Sequence, residues 1–346
     1  MTGLYTSSHR ATNSGFCAWW NWSGKGAVTH LWTTSTTRSQ IVAGRWKGAD
    51  MDIRDHLNEE AHYIDGVLAD CLAPLQGSVM HAAMSYALLS PGKRVRPALC
   101  LAVYEACTRD RERIKPVLAA IEMVHAYSII QDDLPSMDNS DLRRGKPTTH
   151  KVHGEDMALL ASDALLTMAF EELSSAQMVG AFGAERCLDA VRTMATLVGA
   201  EGLVGGQAMD IITSSDEHVE LGTIEYIHKN KTAALIQASV LLGGIFGCAS
   251  ETDMGRLRAF GESFGMAYQI VDDIADASAT EAQTGKTAGQ DVKNRKATYV
   301  TVLGLADARE KALQYLASAR ESALALDSGG DFLTGLVDLL AEKARS

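Results

Sequence analysis

From residue 53 onward, apolar residues return every three or four positions with polar residues between them, in one stretch after another. In the first stretch Ile53, Leu57, Ile64, Val67, Leu68 and Leu72 fall on one side of a helical wheel, and Glu59 and Asp70 lie among the polar positions. The same period predicts helices over 53–73, 79–89, 98–107, 114–134, 156–176, 186–212, 218–247, 252–278, 298–325 and 331–344. Loops rich in Ser, Gly, Pro or charge separate them, among them 90–97, 138–149 and 281–295. No strand-period block of β-branched residues recurs, and no repeat of fixed period is present. The expected fold is all-α, a single large multi-helix domain over 51–346 built around a central cavity. Ten or more helices are too many for a four-helix bundle.

Proline placement supports this. The six prolines lie at 74, 91, 97, 116, 135 and 147, so the last 199 residues hold none. A proline-free stretch rich in Ala and Leu reads as successive helices. Aromatic residues make up only 6%, which disfavours a β-sandwich or barrel. The longest apolar run, 233–249, is broken by Gln237 and Ser239 and is too short to span a membrane, so it reads as a buried core helix.

The first 49 residues differ from the rest. They hold no acidic residue, five Lys or Arg, fourteen Ser or Thr and all five tryptophans. An acid-poor, Ser/Thr-rich start is similar to an organellar transit peptide, but the tryptophans form no helical stripe. The adopted reading is an extension over 1–50 outside the fold, ahead of a start at Met51, with a transit peptide or a folded element as alternatives. The expected location is the cytoplasm, or an organelle if 1–50 is a transit peptide.

Charge narrows the chemistry. The chain carries a net −11 over 346 residues, the reverse of a nucleic-acid binder. Its six cysteines, at 17, 71, 100, 107, 187 and 248, form no CxxC pair and no zinc spacing, so they read as reduced thiols. His150 and His153 beside Glu155 and Asp156 invite a separate metal reading, weighed against an ordinary loop.

Two acidic segments each end an apolar helix: VHAYSIIQDDLPSMD at 124–138 and FGMAYQIVDDIAD at 264–276. Adjacent aspartates in an apolar run are costly unless something compensates them. On a wheel Gln269, Asp272, Asp273 and Asp276 form one stripe, as do His125, Ser128 and Asp132. Asp133 sits about 100° round. Pro135 stops the first helix, so Asp138 belongs to the following loop. One DDxxD is weak evidence, since acidic helix ends are common; two about 140 residues apart are much stronger. If the helices face each other, six carboxylates converge, and two of them about 4 Å apart repel by about 4 kcal/mol at an effective dielectric of 20. Hard cations relieve this, and Mg²⁺ suits carboxylates that share it with phosphates; about three would balance six aspartates, and Mn²⁺ could substitute. Basic segments alternate with the acidic ones: Lys93, Arg94 and Arg96 in a loop opening a helix, Arg143, Arg144 and Lys146 after the first motif, Lys231-Thr232 within a helix, and Lys286 after the second motif.

The string QDDLPSMDNSDLRRGKPTTHKVHGED closely resembles the first aspartate-rich region of trans-prenyl diphosphate synthases. GGQAMD, HKNKTAALI, YQIVDDIAD and GKTAGQD fit the same family in the same order, and the resemblance covers 52–346. It implies the isoprenoid synthase fold, usually a homodimer, and Mg²⁺-dependent head-to-tail condensation of isopentenyl diphosphate with an allylic diphosphate. Carried over, Asp132, Asp133, Asp138, Asp272, Asp273 and Asp276 would hold the metals. Lys93, Arg96, His125 and Arg144 would bind isopentenyl diphosphate; Arg143, Lys231 and Lys286 would hold the allylic diphosphate. Thr232 and Gln269 would line the carbocation. The departing diphosphate would take the released proton, so no protein base is implied. Gln131 stands where relatives often have His, and Asn139-Ser140 replaces a more acidic pair.

Tyr127 and Ser128, five and four residues before Asp132, are the expected chain-length determinants. A Tyr-Ser pair there resembles bacterial farnesyl diphosphate synthases, so the expected activity is a geranyltranstransferase making farnesyl diphosphate, with the C20 geranylgeranyl product as alternative. A class I terpene cyclase or a non-catalytic partner subunit of a heteromeric synthase are more distant readings. The DDIAD second motif opposes the first, and retention of both acidic motifs opposes the second.

Overall fold

The computed structural model describes residues 52–108, 110–214, 216, 218–278 and 298–345. The 1–50 extension and Lys286 lie outside the described residues. The chain runs through α1 (Ile53–Leu72), α2 (His81–Leu88), α3 (Val95–Glu105) and α4 (Lys115–Asp133), then a two-stranded hairpin of β1 (Leu142–Arg143) and β2 (Lys146–Pro147). There follow α5 (Thr149–His153), α6 (Glu155–Ser174), α7 (Ala176–Phe182), α8 (Ala184–Val198), α9 (Leu203–Thr213) and α10 (Leu221–Ile227). A wide π-turn, His228–Ala233, leads into α11 (Ala234–Gly247). The chain closes with α12 (Glu251–Ser278), α13 (Tyr299–Leu303), α14 (Leu305–Leu324) and α15 (Gly330–Arg345).

The all-α expectation holds. α11 is apolar on every side, from Leu235 through Leu242 to Phe246, and lies between α3 and α12 as a core helix must. α4 packs along α6, and α12 along α14. Each large aliphatic side chain buried this way contributes about 1.5–3 kcal/mol of apolar transfer. Among the described residues no helix is long and apolar enough to cross a membrane.

Local chemistry sets the ends that matter. Asp52 caps α1, its carboxylate accepting from Arg54 N–H at 2.9 Å. α4 opens on Pro116 and stops at Leu134, whose ψ of 154° is the extended conformation that a following proline imposes. That stop leaves Asp132 and Asp133 on the last turn.

Three expected helices divide. The 186–212 stretch breaks after Val198, the 218–247 stretch widens at 228–233, and 298–325 splits at Gly304, whose φ of 83° a helix does not allow. α5, α7 and the short hairpin were not expected; each is too short to carry a periodic signal.

Candidate active site

The π-turn at His228–Ala233 is the hub of the site. Two helices press on it where they lack side chains: a Cβ on Gly206 of α9 would lie 2.3 Å from Lys231 N, and one on Gly265 of α12 would lie 2.5 Å from Ala233 Cα. A π-turn inside a helix is rare and occurs most often at functional sites. From it Lys231 Nζ donates to Asp210 at 2.7 Å and to Asp132 at 3.2 Å. Its neighbour Thr232 donates to Gln269 Oε1 at 2.8 Å, and Gln269 Nε2 donates to Asp273 at 3.0 Å. One turn thus touches both acidic motifs.

In the first motif Asp132 also accepts from Gln207 Nε2 at 2.7 Å. Asp133, about 100° round the helix as expected, is buried and accepts from Arg143 of the hairpin, Nε at 3.1 Å and Nη2 at 2.5 Å. The Arg143 guanidinium also stands 3.6 Å from Asp132. Burial pushes the Asp133 carboxyl up, against the pull of Arg143, and the charges of Asp132 and Asp138 add to the rise. Asp138 N–H donates to the Asp132 carbonyl at 3.0 Å, which folds the loop back over the helix end.

In the second motif Asp273 is buried and accepts from Tyr299 N–H of α13 at 3.2 Å, while Asp272 is exposed and Asp276 half-buried. His228 Nε2 lies 3.6 Å from Asp273. Burial holds the His228 imidazole down at about 4, outweighing the attraction of Asp210, so its approach to Asp273 is a neutral polar contact rather than an ion pair.

A cationic cluster lies beside the first motif. The loop entering α3 turns at Arg94 in the left-handed region, φ 49° and ψ 31°, which sends this side chain into the protein and leaves Lys93 exposed and Arg96 half-buried. Arg96 Nε is buried and unpartnered, the kind of orphan donor that an anion satisfies. Arg144 donates to the Pro91 carbonyl at 2.7 Å. Burial drives the His125 pKa well below its ordinary value, and Arg96, Arg144, Arg94 and Arg143 push it further. His125 is therefore neutral, and the positive charge rests on guanidinium and ammonium groups. A cleft lined by Tyr86, Arg94, His125, Ile130, Arg143 and Arg144 opens against the cluster.

Four groups beside this machinery escaped the sequence reading: Tyr268, within electrostatic reach of Arg96, Arg144 and Asp272; Lys343 of α15, beside Lys93; Arg94 as an anchor; and His228. Tyr268 adjoins Gln269 in the second motif, which was its one sequence signal. In the GGQAMD string Gly206 packs against the π-turn, while Gln207 bonds Asp132 and Asp210 bonds Lys231.

The acid groups offer carboxylate oxygens only. Among the described residues no three His, Cys, Asp or Glu side chains already converge as a ready-made metal set, and Asp133 and Asp273 are turned onto protein donors. Such a set does not fit a cation caged by protein alone. It fits a hard divalent cation that keeps water and takes phosphate oxygens as further ligands. His150 and His153 do not gather with Glu155 and Asp156 either; His150 Nδ1 pairs with Thr148 Oγ1 at 3.1 Å.

Tyr127 is buried, and burial together with the Asp163 carboxylate of α6 raises its phenol pKa. Ser128 donates to the His125 carbonyl of its own helix at 2.8 Å.

The profile of the family described as polyprenyl synthetase matches residues 78–325. The heterodimeric geranylgeranyl pyrophosphate synthase large subunit 1, chloroplastic, of Arabidopsis thaliana is 43% identical over 283 residues, 81% of this chain and 76% of that protein. The chloroplastic geranylgeranyl pyrophosphate synthase of Capsicum annuum is 42% identical over 273 residues, 79% of this chain and 73% of that protein. Among solved structures, an FPP/GFPP synthase from Zymomonas mobilis superposes with a TM-score of 0.73 at 33% identity, covering 84% of this chain and 98% of that one. A geranyltransferase from Helicobacter pylori, complexed with magnesium and isoprenyl diphosphate, gives 0.73 at 29% identity, covering 85% and 97%.

Proposed function

The chain belongs to the polyprenyl synthetase family, and from that premise we propose that it is a Mg²⁺-dependent prenyltransferase that condenses isopentenyl diphosphate with allylic diphosphates up to geranylgeranyl diphosphate. The observation that carries the reaction class is the run of contacts Asp132–Lys231–Thr232–Gln269–Asp273, which ties both acidic motifs to one turn. The C20 product takes its support from the plant relatives, named as geranylgeranyl pyrophosphate synthases, and replaces the farnesyl product expected from the Tyr127-Ser128 pair. A C15 product remains the second reading, favoured by the bulk of Tyr127 and by bacterial neighbours such as the FPP/GFPP synthase.

Lys231 and Arg143 hold the allylic diphosphate, with Lys286 as a further cation from outside the described residues. Lys93, Arg96 and Arg144 take isopentenyl diphosphate, with neutral His125 and Tyr268 as hydrogen-bonding neighbours. Asp132, Asp138, Asp272 and Asp276 hold Mg²⁺, and Asp133 and Asp273 complete the acid set. Six carboxylates call for about three ions, with Mn²⁺ a possible substitute. Bound Mg²⁺ supplies neutralisation of the charge that builds on the leaving diphosphate. The Thr232 and Gln269 oxygens direct their dipoles at the allylic cation. The apolar wall of α4 excludes water that would quench it. The departing diphosphate accepts the proton released as the new alkene forms.

The enzyme works as a homodimer. The exposed side of α5 and α6, with Val152, Leu159 and Leu160, offers an apolar face for a second copy. Relatives named as chloroplastic favour the organellar location over the cytoplasmic one, and the acid-poor composition of 1–50 suits an import leader.

Chromatography of the products from isopentenyl and dimethylallyl diphosphates with Mg²⁺ tests the proposal. A C20 diphosphate is expected. A C15 end product favours the second reading, a released hydrocarbon indicates a cyclase, and no turnover in the absence of another chain indicates a partner subunit.

A further inference from the structure

We propose that Arg94 is a positioning residue for the isopentenyl diphosphate half of the site: its buried guanidinium fork fixes Lys93, in the loop entering α3, and Arg96, on the first turn of α3, against the helix carrying His125. The proposal rests on the reading that these three residues take isopentenyl diphosphate.

Arg94 spends every face of its fork on a different element. Nε donates to Asp65 of α1 at 2.7 Å, Nη1 to Glu122 of α4 at 2.7 Å, and Nη2 to the Ser90 carbonyl of its own loop at 2.8 Å. Its side chain is 3% exposed and that of Glu122 5%. Glu122 stands three residues before His125, one turn up the same face of α4. Arg94 therefore measures the distance from the loop to the His125 turn, and the left-handed backbone at 94 turns its neighbours away from the anchor. A Lys cannot do this: it keeps the charge but lacks the planar fork that meets several acceptors in fixed directions. Asp65 is half-exposed, so its bond is the weakest of the three to lose.

Steady-state kinetics with Mg²⁺ and both substrates distinguish positioning from bulk charge and from folding. Arg94→Lys is expected to raise KM for isopentenyl diphosphate about tenfold, leaving KM for the allylic diphosphate and kcat within about twofold. Arg94→Met should raise the same KM further, so that Lys is a partial rescue. Asp65→Asn, which keeps the core intact, should raise it about threefold. An unchanged KM in Arg94→Lys and Asp65→Asn overturns the proposal, as does an equal rise in both KM values or a kcat loss that tracks a lowered melting temperature. Should the Arg94 variants not fold, Asp65→Asn decides alone. Absence of turnover by the unmodified enzyme, or a Lys93→Ala variant whose KM for isopentenyl diphosphate does not move, sinks the reading of the site itself and the proposal with it. A normal enzyme with a normal Lys93 response and no split at Arg94 sinks only the proposal.

Discussion

Lys231 Nζ stands 3.2 Å from Asp132 Oδ1, so the π-turn reaches the first acidic motif directly. A charge-assisted bond of this kind is worth about 1.5–3 kcal/mol, or roughly ten- to a hundredfold in an equilibrium or rate constant. Lys231→Met should raise KM for the allylic diphosphate and lower kcat, together by about that factor in kcat/KM. Asp210→Asn, which loosens the lysine without removing it, should cost less. Initial rates at varied allylic substrate check both, and equal effects would mean that Asp210 contributes more than support.

Metal dependence follows from the carboxylate-only donor set. EDTA should abolish turnover and Mg²⁺ restore it. Asp132→Asn should lower kcat by about a thousandfold. Its far-ultraviolet circular dichroism should match that of the unaltered chain, because Asp132 lies at a helix end and is only partly buried. Near-normal turnover in EDTA would remove the mechanism.

Tyr127 is buried on α4, five residues before Asp132. Tyr127→Ala should lengthen the main product beyond that of the unaltered enzyme while leaving the consumption of isopentenyl diphosphate within a few-fold. An unchanged product length would show that Tyr127 is core packing and that another side chain ends the channel.

The positions of the acidic motifs were legible because apolar periodicity and Pro135 place Asp132 and Asp133 on a last helical turn, as the structure has them. The division of labour between them was not. Gln269, Asp272, Asp273 and Asp276 share a wheel stripe, yet Asp272 is exposed and Asp273 buried, because α13 approaches from a distant part of the chain and gives Asp273 the Tyr299 N–H. The π-turn was invisible for the same reason. HKNKTA reads as ordinary helix, and the wider register comes with α9 and α12 pressing on it from either side. Arg94 looked like one more basic residue of a phosphate loop; only the left-handed φ and the partners on α1 and α4 turn it inward.

Buried His228 makes stability depend on pH. Its imidazole ordinarily titrates at 6.5 and is held at about 4 in the fold, so below neutrality the unfolded chain binds the extra proton. The stability associated with the neutral ring is complete above about pH 6.5 and falls by about 3 kcal/mol as pH drops towards 4. Urea midpoints from pH 7.5 to 4.5 should decline accordingly, and the decline should be shallower in His228→Gln. A parallel decline in both proteins would place the pH dependence elsewhere.

The glycines at 206 and 265 have no side chain with which to react, and yet they set the span between the two acidic motifs. A methyl group at either would press on backbone that has nowhere to retreat, and overpacking of that sort costs about 1–3 kcal/mol. The close seating of α9 and α12 on the π-turn thus depends on two absent methyl groups. Substitutions there would be scored in a genetic screen as losses of chemistry, although neither position meets a substrate.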